Sequence, residues 1–336
     1  MAERRLRVLF LPQPGVPVTE VRSYRHLMAI SDRHDTTAFD SSLPMAQQFE
    51  GIEVVVDLGG HASKEQIDCA AAAGVSHFQA QTNGLDHVEV EYILSKGIML
   101  SHCPGHLSAD SLAQNAMMFI LMIAAKYKTA VQNFNGGNYY DPEGSGLNGK
   151  KLTIIGYGAS GLQLALRAQP FGIKISAIDI RVVPTEILDQ VPLEFLGSPE
   201  DIDEVISDCD ILSVNLHLNA NTRHIIDRRR IGLLKPTAWV INVARGGIIN
   251  ESDLANALNN DVIAGAAIDV FENEPYNGPL KEIERCLLTA HMGSMSVDCR
   301  TRMEIESTEE AIRFLKSKAL EREVPQEEYD VQSQGL

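Results

Sequence analysis

The stretch that most restricts what this chain can fold into is residues 150–164. There an apolar run, Leu152–Ile155, passes directly into Gly156-Tyr-Gly158-Ala-Ser-Gly161, and helix-periodic sequence follows. Each glycine meets a different demand. Gly156 permits a tight turn, Gly158 lets backbone approach a pyrophosphate, and Gly161 lets the helix pack close to the strand. The free N–H groups and positive dipole end of the helix, around Ala159 and Ser160, would receive the pyrophosphate. Asp179 stands at the end of the next apolar run, Ile173–Ile178. An acid at that place accepts the two hydroxyls of an adenosine ribose. The same carboxylate would repel a 2′-phosphate, so NAD(H) is expected over NADP(H), with Arg181 offsetting part of the repulsion.

Strand-like runs recur on both sides of this unit. Leu6–Leu11, Val54–Leu58, Ser76–Gln81 and Ile98–Ser101 precede it, with a helix-patterned Ser63–Ala73 between the second and third. Ile211–Asn215, Trp239–Asn242, Ala264–Val270 and Leu287–Thr289 follow it. Strands alternating with helices imply parallel sheets with helical crossovers, and ligands of such sheets bind beyond the carboxyl ends of the strands. The spacing predicts six strands in the glycine-turn unit. It also predicts one buried helix over Ser108–Lys128, a loop over Asn133–Gly149, a helix over Asp298–Lys316 and a disordered polar end.

The remaining totals exclude several classes. A formal net charge of −16 over 336 residues argues against nucleic acid and anionic membrane as partners. The longest apolar run, Ala116–Ala125, is half of what a bilayer needs. The five cysteines are scattered and never in C-x-x-C spacing, as in a cytoplasmic protein with reduced thiols and no zinc site. No secretory leader is read at the N-terminus.

Three further segments carry chemistry. Asn242-Val-Ala-Arg245-Gly-Gly, Asp269-Val-Phe-Glu-Asn-Glu274-Pro and Thr289-Ala-His291-Met-Gly293-Ser each follow an expected strand of the same sheet. Hydride transfer between a carbonyl and a nicotinamide needs a substrate holder, a proton donor and a group that tunes the donor. Arginine, histidine and glutamate supply these functions. With these markers the chain resembles the D-isomer-specific 2-hydroxyacid dehydrogenase family over roughly residues 50–310.

The resemblance implies a Rossmann cofactor domain, about 106–296, inserted into a flavodoxin-like substrate domain, about 1–105 with 297–336. It implies Arg245 as the holder of a small 2-keto or 2-hydroxy acid, His291 as proton donor and Glu274 as its partner. It implies NAD as cofactor, with Thr222, Val243, Asp269 and Gly293 joining the glycine turn, and with Asp269 at the nicotinamide carboxamide. Backbone N–H groups of Thr82, Asn83 and Gly84 match the loop that cradles the substrate carboxylate. A homodimer along the long helix is also implied. The chain departs from the family at Ala159-Ser160, at Ala290 and His217 where prolines are usual, and at Ala113-Gln114 where an acid is usual. An NAD(H)-sensing corepressor-like binding protein is the rival reading, separated from the enzyme by turnover with a keto acid.

Overall fold

The computed structural model describes residues 5–14, 28, 30–32, 34–303, 309 and 313. Two compact units emerge. One is built on the chain up to Leu107 and again from Val297, the other on Ser108–Ser296.

The first unit carries a five-stranded sheet, β1 (Arg7–Leu11), β2 (Asp35–Ala38), β3 (Val54–Asp57), β4 (His77–Ala80) and β5 (Met99–His102), in the order β2-β1-β3-β4-β5. All its pairings are parallel. β3 and β4 are buried along their length and β1 in all but its first residue, because helices cover a parallel sheet on both faces. The Lys64–Ala73 helix begins at a capping box. The Ser63 hydroxyl accepts from the Gln66 N–H, and the Gln66 side chain accepts from the Ser63 N–H. It stops at Gly74 in the left-handed region, φ +82°.

The second unit holds β6 (Lys151–Ile155), β7 (Lys174–Ile178), β8 (Phe195–Gly197), β9 (Ile211–Val214), β10 (Trp239–Asn242), β11 (Gly265–Ile268) and β12 (Cys286–Leu288). Their order is β12-β11-β10-β9-β6-β7-β8. Chain order reverses on either side of β6, which makes its carboxyl end the switch point where ligands of open α/β sheets bind. The register aligns Ile155 with Val214, Val214 with Asn242, Asn242 with Ile268 and Ile268 with Leu288. The loops that follow these strands therefore leave the sheet side by side.

Three expectations need correction. The glycine-turn sheet has seven strands and not six, because β8 escapes the hydrophobic pattern. Its three residues are exposed or half-exposed, and the same holds for β2, missed in the first sheet. The long helix is two, Ala109–Ala124 and Tyr127–Asn135, separated by Lys126 at φ +47°. The second of these takes the first residues of the expected loop. Finally, the long helix is not buried all round, since Met118 and Leu121 are exposed, as are Tyr127, Phe134, Tyr139 and Tyr140 beyond it. The expected Asp298–Lys316 helix is seen as helical residues 297–303, 309 and 313, and its remainder, with the polar end, lies outside the described residues. Among the described residues no helix is long and apolar enough to cross a membrane.

Candidate functional site

The glycine turn is shaped by contacts that a side chain would break. Gly156 sits at φ +97°, and a Cβ there would lie 2.4 Å from the Asn215 carbonyl oxygen. A Cβ on Gly161 would lie 2.2 Å from the Gly156 carbonyl oxygen, so the helix rests directly on the turn. Asn215 ties the next loop to this helix, donating from its amide to the Ser160 hydroxyl at 3.2 Å and accepting from Ser213 at 2.9 Å. The Ala159–Ala168 helix starts from Gly158 without a side-chain cap. Uncapped N–H groups at a helix start are an anion site.

Asp179 ends β7 beside this turn and is 8% exposed. Its Oδ2 accepts from the Tyr157 N–H at 2.8 Å, so the acid and the turn are one structure. The Arg181 side chain folds back onto it, Nε to Oδ1 at 3.0 Å and Nη2 to Oδ2 at 3.1 Å. Turn, uncapped helix start and ribose-side acid together fit a dinucleotide.

Three neighbouring loops build a second cluster in the same unit. After β10 the buried Asn242 side chain folds its own loop, donating to the Arg245 carbonyl at 2.8 Å and accepting from the Ala244 N–H at 3.0 Å. Gly246 then packs on the next loop, where a Cβ would come within 1.9 Å of the Phe271 carbonyl carbon. Only a glycine allows the Arg245 loop so near the loop of Glu274.

After β11, Asp269 is fully buried. Its carboxylate accepts from the Met292 and Gly293 N–H groups, each at 2.7 Å, and from the Thr289 hydroxyl. Its carbonyl accepts from the His291 N–H at 2.8 Å. One side chain thus organises the whole turn 289–293. His291 itself stands at φ +56°, a conformation costly for a histidine and held by these bonds.

The imidazole Nδ1 of His291 meets Glu274 Oε2 at 2.9 Å, and Glu274 Oε1 accepts from the Phe271 N–H at 3.0 Å. Partial burial opposes ionisation of Glu274. The His291 hydrogen bond and charge, the Phe271 N–H and the Arg245 charge outweigh it and hold the carboxyl below its usual range. The carboxylate is therefore anionic at neutral pH, facing an imidazole whose side chain is 46% exposed.

The other expected residues fall as follows. The Thr222 hydroxyl bridges its loop, donating to the His217 carbonyl at 2.6 Å and accepting from the Asn219 N–H at 2.9 Å. Val243 is buried in the core, and its place in the loop after β10 is a backbone one. Leu112 covers Gly293, where a Cβ would come within 2.6 Å of its methyl group.

In the first unit, Thr82 donates to the Gly84 carbonyl at 3.2 Å, closing the turn after β4, and Asn83 lies against Gly105. Sequence reasoning passed over Asp57 there. This buried acid at the end of β3 accepts from the N–H groups of His61, at 3.1 Å, and Ala62, at 2.8 Å, and so shapes the 59–62 loop. Burial pushes its carboxyl up to about 6, against the pull of those N–H groups and of the His87 charge. A lone acid ending an apolar strand was the only signal for it.

Fold and turn together define a dinucleotide-binding α/β protein. Residues 117–293 match the family model described as D-isomer specific 2-hydroxyacid dehydrogenase, NAD binding domain. The chain belongs to the D-isomer-specific 2-hydroxyacid dehydrogenases, and its cofactor is NAD. It is 34% identical over 241 residues to a hydroxypyruvate reductase of Thermotoga maritima, covering 69% of this chain and 75% of that one. It is 31% identical over 261 residues to a glyoxylate reductase of Thermofilum pendens, covering 73% and 74%. Among solved structures, a glyoxylate reductase from Paecilomyes thermophila superposes with a TM-score of 0.82 at 24% identity, over 97% of this chain and 100% of that one. D-lactate dehydrogenase from Aquifex aeolicus, complexed with NAD and lactic acid, gives 0.77 at 22% identity, over 92% and 96%.

Proposed function

We propose that this enzyme interconverts a small 2-keto acid and the corresponding D-2-hydroxy acid. Glyoxylate and hydroxypyruvate are the first candidates, since relatives at 31% and 34% identity are named for them. The observation that carries the reading is the His291–Glu274 pair at 2.9 Å, displayed on a turn that Asp269 holds from beneath. NAD(H), when bound, supplies or takes the hydride, and every other task falls to side chains and backbone of this chain.

His291 is the proton carrier. Its Nδ1 is engaged by Glu274, so Nε2 is the nitrogen that gives a proton to the carbonyl oxygen in reduction and takes it from the alcohol in oxidation. Glu274, anionic beside it, fixes its orientation. Asp269 is foremost the positioning residue of this turn, and with Gly293 it frames the end of the site that the resemblance gives to the carboxamide. Gly156, Gly158, Ala159, Ser160 and Gly161 receive the pyrophosphate, Asp179 faces the ribose, and Thr222 and Val243 line the approach. In the first unit, which we read as the substrate domain, the N–H groups of Thr82, Asn83 and Gly84 form a carboxylate cradle.

Arg245 holds the substrate carboxylate and polarises its carbonyl, for which the planar guanidinium fork is suited. Arg245→Lys keeps the charge and loses the fork. The expected result is a higher KM and a lower kcat, with the dissociation constant for NADH within about threefold of wild type. Unchanged kcat/KM in the lysine variant would show that Arg245 has no part in the reaction. Turnover with a panel of 2-keto acids and NADH tests the reading as a whole.

The exposed apolar side chains of the long helix and the segment after it, among them Leu121, Phe134, Tyr139 and Tyr140, support a homodimer through this region. Sedimentation at micromolar concentration is expected to give twice the chain mass. A monomer there would remove the proposal.

A further inference from the structure

The loop that carries Glu274 is held from a second side. Backbone bonds tie residues 224–226 to 247–250: the His224 N–H donates to the Gly247 carbonyl at 2.7 Å, Ile226 to Ile248 at 3.2 Å and Asn250 to Ile226 at 3.0 Å. From this frame two side chains reach the loop. Glu251 opens the Glu251–Asn259 helix, and its Oε1 accepts from the Glu272 N–H at 2.6 Å. His224, at φ +52°, meets Glu272 Oε1 through Nε2 at 3.0 Å. Two successive N–H groups are thus each taken by a glutamate, that of Phe271 by Glu274 and that of Glu272 by Glu251. Gly246 rests on the same stretch of backbone, where a Cβ would come within 2.4 Å of the Glu272 nitrogen.

Three carboxylates stand close here. Burial pushes the Glu251 carboxyl up, together with the charges of Glu272 and Glu274 and against the Glu272 N–H and the His224 charge. The crowding is tolerated because each acid has a donor: the Glu272 N–H for Glu251, His224 for Glu272, and the Phe271 N–H with His291 for Glu274. A carboxylate bonded to a backbone N–H fixes that piece of backbone more firmly than a neutral acceptor does. We propose that Glu251 is a positioning residue of the reaction: by holding the Glu272 N–H it sets the 271–274 turn so that Glu274 stays against His291. His224 supports it by giving the Glu272 carboxylate a partner outside the turn. The competing role for Glu251, an acid that favours the start of its own helix, gives it no part in turnover. The inference rests on the His291–Glu274 pair proposed above.

Steady-state kinetics of the full chain with NADH, and with whichever of glyoxylate, hydroxypyruvate and pyruvate the wild type reduces, test it. Glu251→Ala is expected to lower kcat by about tenfold or more, since a misplacement of one ångström near the chemistry costs on the order of a hundredfold. KM for the keto acid and the NADH dissociation constant should stay within about threefold, because neither ligand is held by this turn. Glu251→Gln keeps an accepting oxygen and should return kcat to within about threefold of wild type. In a Glu274→Ala background nothing is left to position, so Glu251→Ala should cost less than about threefold more. A kcat loss in Glu251→Ala below about tenfold, a Gln variant that falls as far as Ala, or losses that multiply in the double variant overturn the inference. Each of these leaves the His291–Glu274 pair standing. A Glu274→Ala variant with the kcat of wild type would remove the pair itself and this inference with it, and a wild type that reduces none of the three acids would sink both.

Discussion

Replacing His291 by Gln is expected to lower turnover by about two to four orders of magnitude, the usual worth of a positioned acid–base group. NADH should still bind, because the turn that carries residue 291 is held by Asp269 and not by the imidazole. The pH response should flatten as well. Reduction needs the protonated ring and oxidation the neutral one, so in wild type the two directions run oppositely with pH around one shared ionisation.

Glu274→Gln separates the proton carrier from its partner. Wild-type Glu274 ionises below its usual range and is anionic through the working pH range. The Gln variant removes the anion that faces the ring as it carries the proton. Reduction should then fall off at lower pH than in wild type, and oxidation should rise at lower pH, both profiles moving toward acid. Stability follows the same sign. A carboxyl whose folded value is depressed adds stability above its ordinary range and loses it as pH falls through the depressed value. Profiles that stay in place in the Gln variant would dissolve the pair even if the protein remains a dehydrogenase.

The second large effect is expected at Asp269, which acts foremost through the turn it holds. Asp269→Ala strands the Gly293 N–H in a buried place and leaves the Met292 N–H and the Thr289 hydroxyl without their acceptor in partly buried ones. At about 1–3 kcal/mol for the buried donor and less for each of the two that water can reach, the cost comes to about 2–5 kcal/mol. That is a large share of the about 5–15 kcal/mol that holds a domain together. Turnover should fall too, since His291 at φ +56° then keeps only the bond of its N–H to the carbonyl of residue 269 and its contact with Glu274. Urea unfolding followed by intrinsic fluorescence checks the first effect. A midpoint equal to that of wild type would mean that the turn stands without its acid. Asp269→Asn retains an accepting oxygen and should lie between the two.

The strands around β6 were legible because strands buried on both faces write themselves as apolar runs. Trp239–Asn242 was read with its observed bounds for that reason. β2 and β8 were illegible because no residue of Asp-Thr-Thr-Ala or Phe-Leu-Gly is fully buried, so no apolar run or alternation marks them. The break at Lys126 carries no proline or glycine, so nothing local announces it. The loops of Arg245, Glu274 and His291 were legible as motifs, but the means that place them were not. Gly246 matters because of a backbone 25 residues further on, at Phe271. Asp269 acts across a sheet edge on residues 289–293. Asp179 reads in sequence as an acid with Arg181 near it, and the fold adds that the arginine is hydrogen-bonded to both carboxylate oxygens.

The most direct test of the central claim is NADH oxidation by the wild-type protein with glyoxylate, hydroxypyruvate and pyruvate offered separately, with the chirality of the product determined. Substrate-dependent loss of nicotinamide absorbance with at least one of them, giving the D-2-hydroxy acid where the product is chiral, is the predicted result. A protein that binds NADH and oxidises it with none of the three, or that yields the L-acid, would contradict the account.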